Sequence, residues 1–275
     1  INPEDPAHII DGNDGGLYTT HDYGVNWRFA ENIPVTQFYH VNVDMEIPYN
    51  VYGGAQDNGV YAGPGYMWKD QGIYNTYWKE LMFGDGMDVI PDPKDNRYGY
   101  SMTQNGALVR YDKETGYKHS IKPTHPDPKM RLRYNWNSGL ALDPFDNNIV
   151  YYGSQFLHKS TDKGATWEII SPDLSSNAQF DYEKGAEGSA GTEIGSENYG
   201  NIITISPSTL EKNLIWVGTD DGHVQLTRDG GKTWADVTPT VGFSKGSWIP
   251  QLNASTYNAG EVFVVANNYR KADSK

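Results

Sequence analysis

The chain contains no cysteine. That excludes disulfides and thiolate metal sites and leaves the compartment open. Nor is there a run of eighteen apolar residues, so no segment reads as a bilayer-spanning helix. Basic residues are scarce: 22 Lys and Arg stand against 35 Asp and Glu, for a formal charge of −13. Phosphate affinity comes mainly from Lys and Arg, so nucleic acid and anionic membrane surfaces are poor partners. Apolar residues make up only 37% of the chain, yet 20 Tyr, 8 Trp and 8 Phe are too many for a solvated coil. With 30 Gly and 15 Pro there are many turns. Many turns with many aromatic and β-branched residues predict short strands and an all-β fold. No signal peptide is visible, and the sequence opens on Ile1, which is the expectation for a processed chain or part of a longer one.

The chain repeats itself. Ser160-Thr161-Asp162-Lys163-Gly164-Ala165-Thr166-Trp167 is matched by Thr227 to Trp234, and by Thr20 to Trp27 with Asn26 in place of Thr. The shared pattern is [ST]-x-D-x-G-x-[TN]-W. A second signal recurs between these octets: a turn with Pro or Asn, a short apolar strand, then a Gly-rich turn. Its prolines, Pro3, Pro48, Pro93, Pro144 and Pro207, are separated by 45, 45, 51 and 63 residues. A unit of this size holding four short strands is a propeller blade. The fourth copy predicts strands A to D at 138–142, 148–152, 156–159 and 166–170, with the octet between C and D. By this register residues 1–275 form one propeller segment of about five to six blades. The chain would begin inside one blade and end inside another, with four complete blades between, so it reads as part of a larger ring. Asp112 to Gly116 is a degenerate octet, and 171–198 reads as one long irregular loop.

Each octet position has a structural use. The Asp can accept hydrogen bonds from amides of its own turn. The Gly permits positive φ. The Trp buries a large ring between sheets. Asp22, Gly24 and Trp27, Asp162, Gly164 and Trp167, and Asp229, Gly231 and Trp234 are therefore expected to be scaffold.

The octet resembles the Asp-box, or bacterial neuraminidase repeat, found in sialidases, two-propeller xyloglucanases, a photosystem assembly factor and sortilin-type receptors. The resemblance extends through Tyr52 to Gly59, Gly84-Asp85-Gly86, Arg133 to Ser138, Ser171 to Leu174 and Trp216 to Gly222. That order is similar to large secreted bacterial proteins described as glycosyl-hydrolase-like or sortilin N-terminal-like propellers. The resemblance implies a propeller and a secreted, periplasmic or cell-surface location. Its sortilin-like side implies ligand binding.

Propeller sites lie on the face of the B–C and D–A loops. The B–C loops offer Asn13-Asp14, Gln56-Asp57-Asn58, Gln104-Asn105, Ser154-Gln155 and Asp220-Asp221. Asp14, Asn58, Asn105 and Asp221 also fit turn chemistry alone. The D–A loops offer Asp85, Asp88, Arg131, Arg133, Asn135, Trp136, Glu197, Asn198, Tyr199 and Trp248. Rings that stack and amides that bond hydroxyls make Gln56, Asp57, Asp85, Arg131, Arg133, Asn135, Trp136, Tyr199 and Trp248 the candidate ligand-binding set. The alternative for Arg131 and Arg133 is an Arg packed on a ring with its charge paired to an Asp.

The reading is an extracytoplasmic module that binds or scaffolds a glycan, a polypeptide or a partner subunit, and not an enzyme. The alternative is a glycoside hydrolase of xyloglucanase type, which would draw its carboxyl pair from Asp57, Asp85, Asp88 and Glu197. A second alternative is an accessory subunit of an envelope or assembly complex. No sialidase arginine triad can be assembled from the sequence, and the Arg-Ile-Pro expected near the first blade of a sialidase is absent. The seven His show no HExxH or similar metal spacing. No cofactor is expected, and no spacing supports a structural Ca²⁺ in the Asp-rich turns.

Overall fold

The structure, a computed structural model, describes residues 1–13, 15–31, 33, 36–69, 71–176, 199–239, 242, 244 and 246–268. The chain divides into two compact units, 1–37 and 38–275. The first holds one antiparallel sheet of β1 (Ile9–Asn13), β2 (Gly16–Thr20) and β3 (Arg28–Phe29).

The second unit holds four antiparallel sheets of four strands and a final pair. The first of these is β4 (His40–Val43), β5 (Asn50–Ala55), β6 (Gly59–Pro64) and β7 (Lys79–Met82). Next comes β8 (Gly86–Pro91), β9 (Tyr98–Thr103), β10 (Ala107–Asp112) and β11 (Lys118–Ser120). The third is β12 (Leu140–Leu142), β13 (Val150–Gly153), β14 (Leu157–Ser160) and β15 (Glu168–Ile169). The fourth is β16 (Ile202–Pro207), β17 (Ile215–Thr219), β18 (Val224–Thr227) and β19 (Ala235–Asp236). The pair is β20 (Trp248–Ala254) and β21 (Val262–Asn267). Every sheet is a meander in chain order, the arrangement of a β-propeller blade. The outer strand of the third blade is shorter than expected, two residues against five. Thr166 and Trp167 stay in the turn, because the octet's hydrogen bonds hold them there.

Those bonds repeat three times. Ser160 Oγ donates to Asp162 Oδ1 at 2.7 Å and accepts from the Gly164 amide at 2.7 Å. Asp162 accepts in addition from the Thr166 amide at 2.8 Å and its hydroxyl at 2.6 Å. Thr227 and Asp229 make the same set with Gly231 and Thr233, and Thr20 and Asp22 with Gly24 and Asn26. The indole N–H of Trp167 donates to the Ile121 carbonyl of the preceding blade at 2.7 Å, and that of Trp234 to the Ile170 carbonyl at 3.1 Å. Trp27, in the first unit, is 44% exposed.

Between strands A and B a second device recurs. Asp44 accepts from the Glu46 and Asn50 amides and from the Tyr52 hydroxyl; Asp143 accepts from the Phe145 and Asp146 amides and the Tyr151 hydroxyl. Ser208 and Ser255 occupy the same place in later sheets. These groups also join blades. Asn96 Nδ2 donates to Asp44, and Asn147 Nδ2 and Lys163 Nζ donate to Asp92. The Gly-rich end of strand B is explained by close approach. A Cβ on Gly54 would lie 2.5 Å from the Gly86 carbonyl carbon and the Met87 carbonyl oxygen, both on the next blade. The core fills the spaces between sheets. Met87, Tyr100 and Leu108 meet Tyr134, Leu140 and Tyr152, while Ile149, Tyr151 and Leu157 meet Ile202, Ile215 and Val217.

Ser160 is 1% exposed, so Ser160→Ala strands the Gly164 amide in the interior. A buried donor left unpaired costs about 1–3 kcal/mol. The urea midpoint should fall accordingly, and an unchanged midpoint would refute the octet's role as a turn clamp. The octet carboxyls of Asp22, Asp162 and Asp229 are held down at about 2, each by hydrogen bonds from its own turn. A lowered carboxyl stabilises the fold above its ordinary value near 4, and that contribution is lost as pH falls toward about 2. Asp162→Asn should therefore flatten the loss of stability between about pH 4 and 2, read as urea midpoints at successive pH values.

Candidate functional site

The B–C turns and the connections leading into strand A share one end of the blades, opposite the octets. Residues just after strand B tie down the entry to strand A. Gln56 Oε1 accepts from the Tyr39 hydroxyl at 2.5 Å. Gln104 Oε1 accepts from the Asp85 amide at 3.0 Å, and Gln155 Oε1 from the Arg133 amide at 2.7 Å. Asp220 accepts from the Gly200 and Asn201 amides at 2.8 and 2.9 Å, and from Asn135 Nδ2 at 2.6 Å. The same position thus carries Gln, Gln, Gln and Asp, doing one job.

Asp57 sits at φ 59, in the left-handed region of its turn, so the turn draws on Asp57 as well as Gly59. Its amide donates to Asp85 Oδ1 at 2.8 Å, and Asp85 is buried. Asp88 is not in the loop where the sequence placed it but inside β8, and Trp248 opens β20. Asp88 Oδ1 accepts from Asn42 Nδ2 at 3.0 Å and from the Val89 amide at 2.7 Å. Burial raises its affinity for a proton, and the charge of His40 opposes this. His40 Nε2 in turn lies 3.2 Å from Asn137 Nδ2, so the inner edges of three blades meet around this group.

Arg133 pairs with Asp173 at 2.8 Å, and its guanidinium also donates to Ser175 Oγ and the Gly200 carbonyl. Asn135 is buried. Trp136 packs beside the core of the second and third blades, and the carbonyl of Arg131 accepts from Gln155 Nε2. The rings of Tyr199 and Trp248 meet edge to face, with centroids 6.0 Å apart. Asp221 accepts from the amide and hydroxyl of Ser176. Glu197, Asn198 and Asp14, together with 177–198 of the expected long loop, lie outside the described residues. Among the described residues no group of three His, Asp or Glu could hold a metal ion.

Two buried groups lie outside the candidate ligand-binding set: Asp220, which the sequence offers only as a B–C loop residue, and His158, which it does not single out. Asp220, 1% exposed, is pushed up to about 6 by burial, against the hydrogen bonds it accepts. His158, in β14, is fully buried; burial pushes it down to about 4, and its Nε2 meets Ser154 Oγ at 2.8 Å. The only sequence signal for His158 is a polar residue in an apolar strand. The effects of the two groups on stability oppose each other. A raised carboxyl contributes below its ordinary value near 4 and loses that contribution as pH rises through about 6. A lowered His gives stability above its ordinary value near 6.5 and loses it as pH falls toward about 4. Asp220→Asn removes only the first trend. Relative to the parent, its urea midpoint should rise steadily from pH 4 to 6.5, and parallel curves would show that Asp220 does not titrate there.

No family model matches the chain. A xyloglucanase of Hypocrea jecorina is 24% identical over 200 residues, covering 66% of this chain and 21% of its own length. Among solved structures, an ancestral GH74 enzyme superposes with a TM-score of 0.54 at 13% identity, over 94% of this chain and 33% of its own. The GH74 xyloglucanase of Xanthomonas campestris gives 0.52 at 21% identity, over 79% and 32%. YCF48 bound to D1 peptide gives 0.50 at 12% identity, over 95% and 73%. The chain spans about a fifth of the curated relative and about a third of each GH74 structure. These likenesses and the meandering four-stranded sheets place the fold among β-propellers.

Proposed function

We propose that this chain is a propeller module that binds a neutral polysaccharide at the end bearing the B–C turns, outside the cytoplasm and without turnover of its ligand. One observation carries the reading: the carboxylates of Asp85, Asp173, Asp220 and Asp221 at that end are engaged in holding loops. Asp85 takes the Asp57 amide, Asp220 takes two amides, Asp173 takes Arg133, and Asp221 takes Ser176. Hydrolysis with inversion needs two carboxyls that face each other roughly 6.5–9.5 Å apart across the bond to be cut. Groups that must accept backbone amides are badly placed for that. The ligand class follows from the other side chains. Tyr39, Trp136, Tyr199 and Trp248 offer rings, and Gln56 and Asn58 offer amides on the exposed turn. The curated relative, a xyloglucanase, points to the same class of ligand.

A glycoside hydrolase is the second reading, and that same relative favours it. Asp88 would then be the acid, since burial favours its protonated form. Asp57 or Glu197 would be its partner. A polypeptide is the competing ligand, by analogy with the peptide on YCF48.

The test is a panel of soluble polysaccharides that includes xyloglucan, read by retardation in native affinity gels and by release of reducing ends. Retardation without release, weakened severalfold by Trp248→Ala, is the expected result. Release abolished by Asp88→Asn would establish the hydrolase. A blank in both assays would remove polysaccharide as the ligand.

A further inference from the structure

The first blade of the second unit departs from the repeat. Where other blades turn from strand C to strand D in an octet or its remnant, this one uses the stretch between Pro64 and Lys79, with a 3-10 turn at Asn75–Tyr77. This connection is crowded with exposed aromatic rings. Trp68 is 80% exposed, Tyr66 51% and Tyr74 45%. Tyr66 and Trp68 meet edge to face, centroids 5.0 Å apart at 79°, so the contact occupies one face of one ring and leaves the pair's other faces out of the contact. Tyr74 and Tyr77 lie 5.8 Å apart, with Lys69 over the Tyr77 ring. The Tyr74 hydroxyl donates to Gln71 Oε1.

The loop is held at its base. A Cβ on Gly63 would lie 2.3 Å from the Trp78 ring, so only glycine lets that indole lie flat on the strand. The Gly65 amide donates to the Tyr49 carbonyl, which joins the loop to the β4–β5 connection. That connection adds further exposed apolar groups: Met45, Ile47 and Tyr49. The result is a group of exposed apolar and aromatic side chains on two connections joined by a hydrogen bond.

The charge of the loop narrows its partner. Residues 65–78 carry one Lys and one Asp, a formal charge of zero, in a chain of −13. An anionic partner would be repelled by the surrounding protein. A neutral polymer with flat apolar faces would not. Pyranose rings present such faces through their axial C–H groups and hydroxyls around the rim. Rings for the faces, and the side chains of Gln71 and Asn75 with the tyrosine hydroxyls for the rim, are what this loop provides.

We propose that the Tyr66–Trp78 loop is a second polysaccharide-binding surface, on which neutral sugar chains stack against Trp68 and Tyr66. It lies at the end of the blades opposite the B–C turns and does not depend on a site there.

The test uses the full chain with Trp68→Ala and the double variant Tyr66→Ala/Trp68→Ala, and with Tyr257→Ala, at another exposed ring (94% exposed), as control. All of these side chains are on the surface, so the variants should keep the parent's urea midpoint. Retardation by xyloglucan and by hydroxyethylcellulose should weaken roughly tenfold in Trp68→Ala, the factor that about 1.4 kcal/mol represents. The double variant should lose more and Tyr257→Ala nothing. Quenching or a blue shift of tryptophan fluorescence on adding the polymer should shrink in Trp68→Ala and be lost when Trp68→Ala is combined with Trp248→Ala. Unchanged retardation in the double variant would overturn the proposal while leaving the opposite end, probed through Trp248, untouched. A parent that sediments as a dimer and a Trp68→Ala variant that sediments as a monomer would also overturn it, assigning the surface to a second copy of this chain.

Discussion

The contact on which the second unit depends is the reach of a tryptophan from one blade into the edge of the blade before it. Trp167 donates its indole N–H to Ile121, and Trp234 donates to Ile170. A four-stranded meander with an outer strand of two or three residues has little sheet at its rim to hold it. The octet compensates by spending one Ser or Thr and one Asp on fixing a tight turn, so that the ring emerging from it has one place to go. A hydroxyl and a carboxylate satisfy the amides locally, and the indole carries the stabilisation across the gap between sheets. Each turn is thus fixed by its own residues, and the indole joins its blade to the one before.

The same division separates the two ends of the blades. At the octet end, carboxylates serve the links between blades. Asp44 and Asp92 take side-chain donors from the blade that follows, and both are held below the usual carboxylate range despite their burial. At the opposite end, the polar residue after strand B serves its own neighbourhood by accepting from the entry to strand A. There the cost of burial is not always recovered: Asp220 stays raised although it accepts from backbone and side-chain donors. A carboxylate that is buried, bonded and still reluctant to ionise is fixed in place by its surroundings, which suits a loop anchor better than a group meant to meet substrate.

Much of the fold was legible because the repeat was. The three octets and the spaced prolines put four strands in each unit and placed the octet between the third and fourth, and the sheets follow that order. Strand ends were less legible, since hydrogen bonds inside the octet, not side-chain pattern, decide where β15 begins. The candidate site was legible only in outline. Asp88 reads as a loop residue because Gly84 and Gly86 flank Asp85, yet the irregular pairing between Gly86 and Val89 already belongs to β8. Of the alternative reading for Arg133, a ring-packed side chain with its charge paired to an Asp, the ion pair is observed, but the partner Asp173 lies forty residues away and no local pattern names it. The engagement of Asp85 with the Asp57 amide is equally invisible, because it joins two blades.

Repetition also supplies a baseline against which function can be read. A blade built from the octet needs nothing else between its outer strands, as the third and fourth blades of the second unit show by closing that gap in seven residues. A connection that is longer, aromatic and outward-facing is therefore not required by the fold. Burial would favour drawing those rings inward, and Gly63 with Trp78 shows that the loop does bury a ring where it needs an anchor. Trp68 and Tyr66 remain in water beside that anchor. Leaving large apolar rings exposed next to a strand able to cover one forgoes part of the hydrophobic stabilisation available to the chain. The polysaccharide contact proposed for this loop recovers it.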